Sequence, residues 1–274
     1  MDVRTTRPQA IEADANRGAL ADPARPIHDF LRFLRDPAAR MPAGFSRATL
    51  AGTGRLYLLD LALMAALMML ALLVVGLGVE IPENSLAELE FTPLILVGIV
   101  IAAPVLEELA FRLWLSGRPG QLICGVALAL AFFGLPVLVG VNPALPLITG
   151  GLVVLALGGW LFLRKHGPVA GWPSAFPAAF YASAVIFGLV HVFNYPGSDW
   201  WTVLPLVLPQ TLAGLIFGYA RVSYGMWSAI LLHMLHNGTA MLLVLTGMAF
   251  ESEAVEDASE VAPVSALSVS AAGF

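Results

Sequence analysis

Three short polar groups interrupt otherwise apolar stretches of this chain: Glu107-Glu108-Leu109-Ala110-Phe111-Arg112, Phe187-Gly188-Leu189-Val190-His191 and His233-Met234-Leu235-His236-Asn237. An ionisable side chain at the centre of a membrane helix costs roughly 2.5–3.5 kcal/mol on insertion scales, so each needs a partner or a purpose. On a helix, residues four apart share a face and neighbours point about 100° apart. Arg112 follows Glu108 by one turn, which is ion-pair spacing. Glu107 then faces elsewhere, free to act as a base. Taken alone, Glu107-Glu108 reads equally well as an ion pair with a spare carboxylate. A lone His191 most simply bonds a neighbouring carbonyl, with Phe187 packing beside its ring. His233 and Asn237 share a face and can enter one cavity. His236, about 60° off that line, reads more readily as a polar residue facing another helix than as a support for the site.

Together the groups supply a carboxylate, two imidazoles and a carboxamide, which is what hydrolysis of an amide requires. A base must take a proton from water, and donors must hold the oxyanion of the tetrahedral intermediate. Glu107 suits the base, His191 can share the water, and His233 and Asn237 can supply donors. Two other uses stay open: a proton or ion relay in a transporter through Glu107, His191 and His233, and a scaffold without turnover. No pair of Gly- or Pro-broken helices recurs in two halves, as transporter repeats would show. A scaffold would not need the whole set.

The elements that must position these residues are membrane helices. Of 274 residues, 58% are hydrophobic and 12% charged, about half the charge of a soluble domain; mean hydropathy is +0.82. Net charge is −5, so nothing attracts nucleic acid, and Cys124 alone forms neither an internal disulfide nor a Cys-based metal site. A span needs about 20 apolar residues. Seven are predicted: Leu56–Val79, Thr92–Leu115, Leu122–Gly140, Leu145–Leu163, Ala178–Phe193, Thr202–Ala220 and Met226–Ala249. The fold class is therefore an all-α integral membrane protein, a bundle of about seven helices. Residues 1–55 form a polar segment with one amphipathic helix, Pro26–Arg35, expected to lie on the lipid surface through Ile27, Phe30, Leu31 and Leu34. Residues 56–249 form the membrane domain, and 250–274 an acidic tail expected to be disordered.

With seven spans every Lys and Arg falls on one side: nine Arg before the first helix, then Arg112, Arg118, Arg164, Lys165 and Arg221. Glu80, Glu83, Glu88, Glu90, Asp199 and the tail fall on the other. The positive-inside rule then places the amino terminus inside and the carboxyl terminus outside. One tension remains. Glu107 and His233 sit within about two turns of the inner face, whereas His191 is nearer the middle of a helix starting at Ala178. Either that helix starts lower, or it breaks after Asn194; Pro196 and Gly197 favour the break.

Glu-Glu-x-x-x-Arg, Phe-x-x-x-His and His-x-x-x-Asn, in that order on separate helices, resemble the pattern of the CPBP family: type II CAAX prenyl endopeptidases and bacteriocin-processing or immunity relatives. Glu107, Glu108, Arg112, Phe187, His191, His233 and Asn237 match it, over roughly residues 92–245. The resemblance implies an intramembrane endopeptidase cutting a peptide bond near the cytoplasmic leaflet, with Glu107 and His191 activating water and His233 with Asn237 forming the oxyanion hole. The implied partners are a peptide or membrane-protein substrate and the lipid bilayer. No cofactor is assigned with certainty; Glu107, His191 and His233 are a set that could bind zinc, so zinc stays open, and no His-Glu-x-x-His helix of a standard zincin is present. A single Lys among many Ala and Arg suggests a high-GC genome and hence a bacterial inner membrane. Oligomeric state is not encoded legibly.

Overall fold

The computed structural model describes residues 22–136 and 143–261, and every regular element among them is helical. The amphipathic helix α1 (Pro26–Arg35) forms where the sequence places it, but it docks on the bundle instead of lying only on lipid. Phe30 and Phe33 are buried against Tyr219, with ring centroids 5.3 and 5.4 Å away, and Phe33 also meets Phe180 at 4.9 Å. Ile27 and Leu31 stay exposed. Asp29 explains the difference. Its carboxylate is buried and accepts from Arg40 (2.6 Å), Arg32 (2.9 Å) and the Tyr219 hydroxyl (2.6 Å). Burial pulls the Asp29 pKa upward, but these hydrogen bonds outweigh it and hold the carboxyl below its ordinary value.

Helix α2 (Arg47–Gly76) starts before the predicted Leu56 because Ser46 and Thr49 form a capping box. Then come α3 (Pro93–Ser116), α4 (Pro119–Gly134), α5 (Leu145–Leu163), α6 (Trp172–Asn194), α7 (Trp200–Ser223) and α8 (Met226–Val261). Six of these, α2, α3, α5, α6, α7 and α8, are long and apolar enough to cross a membrane, and α4 is a shorter apolar helix. Their outward faces carry side chains such as Leu94 and Phe162, 80% and 88% exposed, which only hydrocarbon would cover favourably. The chain is an integral membrane protein. Residues 1–21, the predicted end of the third span at 137–140 and the tail from 262 lie outside the described residues. Helix α8 continues past the predicted Ala249 to Val261, so the first part of the expected disordered tail is helical.

Three turns and the amino-terminal segment share one end of the bundle. The Val169 N–H donates to the Gly117 carbonyl (2.9 Å), joining the α3–α4 and α5–α6 turns, and the Ala43 N–H donates to Ser223 at the α7–α8 turn (2.9 Å). The α2–α3 and α6–α7 connections, the end of α4 and the start of α5 are at the other end. The tension over His191 resolves both ways: α6 starts lower, at Trp172, and it tightens into a 3₁₀ turn at His191–Asn194 before ending. Helices α6 and α7 approach closely through two glycines. A Cβ on Gly188 would fall 2.0 Å from Thr211 Oγ1, and one on Gly214 would meet Phe187 at 3.1 Å and Arg112 at 3.2 Å.

Candidate active site

Proline shapes the helix that carries the two glutamates. Within α3, Gly98–Ala102 is a π turn, and the Ala103 N–H returns to the Gly98 carbonyl five residues back. In that register the Ile99 carbonyl would wait for the N–H of residue 104, which is Pro104 and has none. Asn237 fills the gap, its Nδ2 donating to Ile99 O at 2.9 Å. The device recurs in α4. The Leu135 N–H returns to Leu130 across the π turn Leu130–Gly134, Pro136 cannot serve Ala131, and Thr149 of α5 reaches the Ala131 carbonyl at a long 3.5 Å.

One turn beyond Pro104, the glutamates separate as their spacing requires. Glu108 and Arg112 are both fully buried, with Arg112 Nη1 3.1 Å from Glu108 Oε1. The same Glu108 oxygen lies 3.0 Å from His233 Nδ1. A carboxylate accepts, so Nδ1 carries the hydrogen, and His233 Nε2 then stands 3.6 Å from Glu107 Oε2. Glu107 keeps 14% of its side chain exposed, and its Oε2 has no hydrogen-bond partner among the described residues. His233 therefore bridges the structural glutamate and the cavity-facing one.

His191 does bond a neighbouring carbonyl, its Nδ1 meeting Phe187 O at 2.7 Å. That bond fixes the proton on Nδ1 and leaves Nε2 as an acceptor. Phe187 holds the parts together. Its ring centroid lies 3.9 Å from Arg112 Cζ, 4.9 Å from the His191 ring and 5.5 Å from His233. Phe217 of α7 stacks on His233 at 4.8 Å. Neither phenylalanine can donate or accept a proton; they fix the rings and exclude water.

Glu107, His191, His233 and Asn237 line one cavity of about 470 Å³, with Gln210, Asn194 and His236 among the other polar residues in its wall. So the structure brings all six predicted site residues together: four on the cavity, and Glu108 with Arg112 behind it. His236 faces a neighbouring helix, as read, but its partner was not foreseen. Its Nδ1 lies 2.8 Å from Asp60 Oδ2, and Asp60 is 2% exposed on α2. The signal was available: Asp60 is the one charged residue between Leu56 and Gly76, and a carboxylate inside a span is a candidate by default.

The proposed zinc set of Glu107, His191 and His233 faces the cavity, yet no three His, Cys, Asp or Glu side chains among the described residues are grouped as metal ligands. One nitrogen of each imidazole is already committed to the chain. The other nitrogen of each stays free, an arrangement that metal-ligating histidines also show.

The model of a protein family described as type II CAAX prenyl endopeptidase Rce1-like matches residues 89–239, just over half of the chain. That stretch spans all six predicted site residues and most of the cavity lining, while Asn84, Leu86 and Asp60 fall outside it. No curated protein and no solved structure shows significant similarity to the chain. A buried Glu-Glu-x-x-x-Arg ion pair, two oriented imidazoles and a carboxamide around one intramembrane cavity, together with that match, assign this chain to the type II CAAX prenyl endopeptidase Rce1-like family.

Proposed function

We propose that the chain is a glutamate-dependent intramembrane endopeptidase acting on a peptide or on a segment of a membrane protein. Glu107 is the general base. Its free oxygen and the His191 Nε2 acceptor hold a water between them. Glu107 takes one proton as the hydroxide oxygen attacks the scissile carbonyl carbon. The Asn237 carboxamide has two N–H groups; one is committed to Ile99 O, which orients the other for the developing oxyanion. His233, anchored through Nδ1 on Glu108, offers Nε2 to the same oxygen when that nitrogen carries a proton. Collapse of the intermediate breaks the C–N bond, and Glu107 returns its proton to the departing amine, leaving a carboxylic acid and an amine. Glu108 and Arg112 do not touch substrate in this scheme; they position His233. The Arg-rich, Lys-poor composition supports a bacterial inner membrane as the location.

The observation that carries the reading is the position of Glu107: an unpaired carboxylate oxygen on a buried cavity, 3.6 Å from an imidazole that is itself held by a second carboxylate. Glu107→Gln is expected to lower kcat for a fluorogenic peptide by at least about 10²-fold, the scale of general-base catalysis, with thermal stability near wild type. Unchanged cleavage would remove Glu107 from the mechanism. Ion flux in liposomes that is blocked by the same substitution would favour a transporter instead.

A further inference from the structure

The two ends of the bundle differ in a way that decides from which side the cavity is reached. Helices α3, α4, α6, α7 and α8 line the cavity, which runs from Glu107, Phe217 and His233 toward the end of the bundle where α6 ends and α7 begins. It reaches Asn84 and Leu86 in the α2–α3 connection, Pro136 at the end of α4 and Asn194 at the end of α6. The opposite end is closed. There α1 lies across α6 and α7, its Phe30 and Phe33 buried in an aromatic cluster with Phe176, Phe180 and Tyr219. Arg40, Asp29 and Tyr219 lock it in place, and the Tyr181 hydroxyl donates to the Leu34 carbonyl. The closed end carries the basic residues, including Arg32, Arg35, Arg47, Arg118, Arg164 and Lys165. The open end carries Glu80, Glu83, Glu90 and Asp199.

Basic connections stay cytoplasmic, so the closed end faces the cytoplasm and the mouth faces away from it. We infer that the catalytic cavity opens to the extracytoplasmic side, and that the substrate is a polypeptide segment exposed there. This inference rests on the endopeptidase reading for its substrate, but not for the direction of opening. It reverses the sequence expectation of cleavage near the cytoplasmic leaflet. Along the chain Glu107 and His233 lie near the basic end, but α1 covers that end.

The test uses the full-length protein with Cys124→Ser, carrying one new cysteine at an exposed position of either end: Glu83→Cys near the mouth or Ala39→Cys at the plugged end. A membrane-impermeant maleimide applied to intact cells should label Glu83→Cys at least tenfold more than Ala39→Cys, and inside-out vesicles should reverse the ratio. A reporter peptide added outside right-side-out vesicles should be cut by wild type and not by Glu107→Gln. Labelling of Glu83→Cys only from the cytoplasmic side overturns the inference and leaves the Glu107 chemistry standing. So does a reporter cut in detergent but never from outside. Absence of cleavage even in detergent counts against the endopeptidase reading, while the labelling still decides which way the mouth faces.

Discussion

A carboxamide is a versatile donor only if something fixes it, and at Asn237 one N–H is spent on the Ile99 carbonyl at 2.9 Å. Asn237→Ala would remove the proposed oxyanion donor and strand that carbonyl at once. The expected outcome is a fall in kcat of about 10²–10³-fold, the effect of losing one oxyanion donor, together with about 1–3 kcal/mol of stability from an unsatisfied buried acceptor. Steady-state kinetics and thermal unfolding of the same preparation separate the two. A loss of stability with kcat intact would make Asn237 a structural residue only. Arg112 has a different task. Its buried guanidinium neutralises Glu108 and rests on the Phe187 face, so Glu108 can hold His233 without leaving a net buried charge.

At the scale of the element, the two π turns show how a proline acts at a distance. Pro104 deprives Ile99 O of a backbone partner, and the carbonyl recruits Asn237 from α8, tying α3 to α8. Pro104→Ala supplies the missing N–H and frees the carboxamide to turn. Thermal stability is expected to hold or rise, since a helix-interior proline is removed, while kcat falls by about tenfold or more, because small misplacements of a catalytic group are expensive. Equal activity in the variant would mean that Asn237 is placed by α8 alone. The close seam of α6 and α7 works in the same direction: Gly188 and Gly214 admit Thr211, Phe187 and Arg112 where any side chain would push them apart.

At the scale of the whole molecule, the plugged end depends on one charge. Asp29 is held below its ordinary pKa by Arg40, Tyr219 and Arg32 in spite of burial. A carboxyl with a lowered folded-state pKa contributes stability above its unfolded value, near about 4, and loses it as pH falls through the folded value. Asp29→Asn should therefore lower Tm at pH 7, and its deficit relative to wild type should shrink as pH falls below about 4. A deficit independent of pH down to acid unfolding would show that the charge of Asp29 does not anchor α1.

Much of this was legible in one dimension. Apolar run lengths set the number of helices, because each backbone polar group in hydrocarbon must be paired within its own segment. The three motifs picked out residues that meet around one cavity, because charge inside a span needs a reason, and i, i+4 spacing alone separated Glu108, paired with Arg112, from Glu107. Asp60 carried a signal of its own and was still paired only by folding, since its partner His236 lies on a helix far along the chain. Folding alone also decided that Phe30 and Phe33 of α1 turn inward, that α6 starts at Trp172, and that the cavity points away from the basic end. Those are contacts between segments distant in sequence. Local periodicity fixes which face of a helix is apolar, but not whether lipid or another part of the protein will cover it.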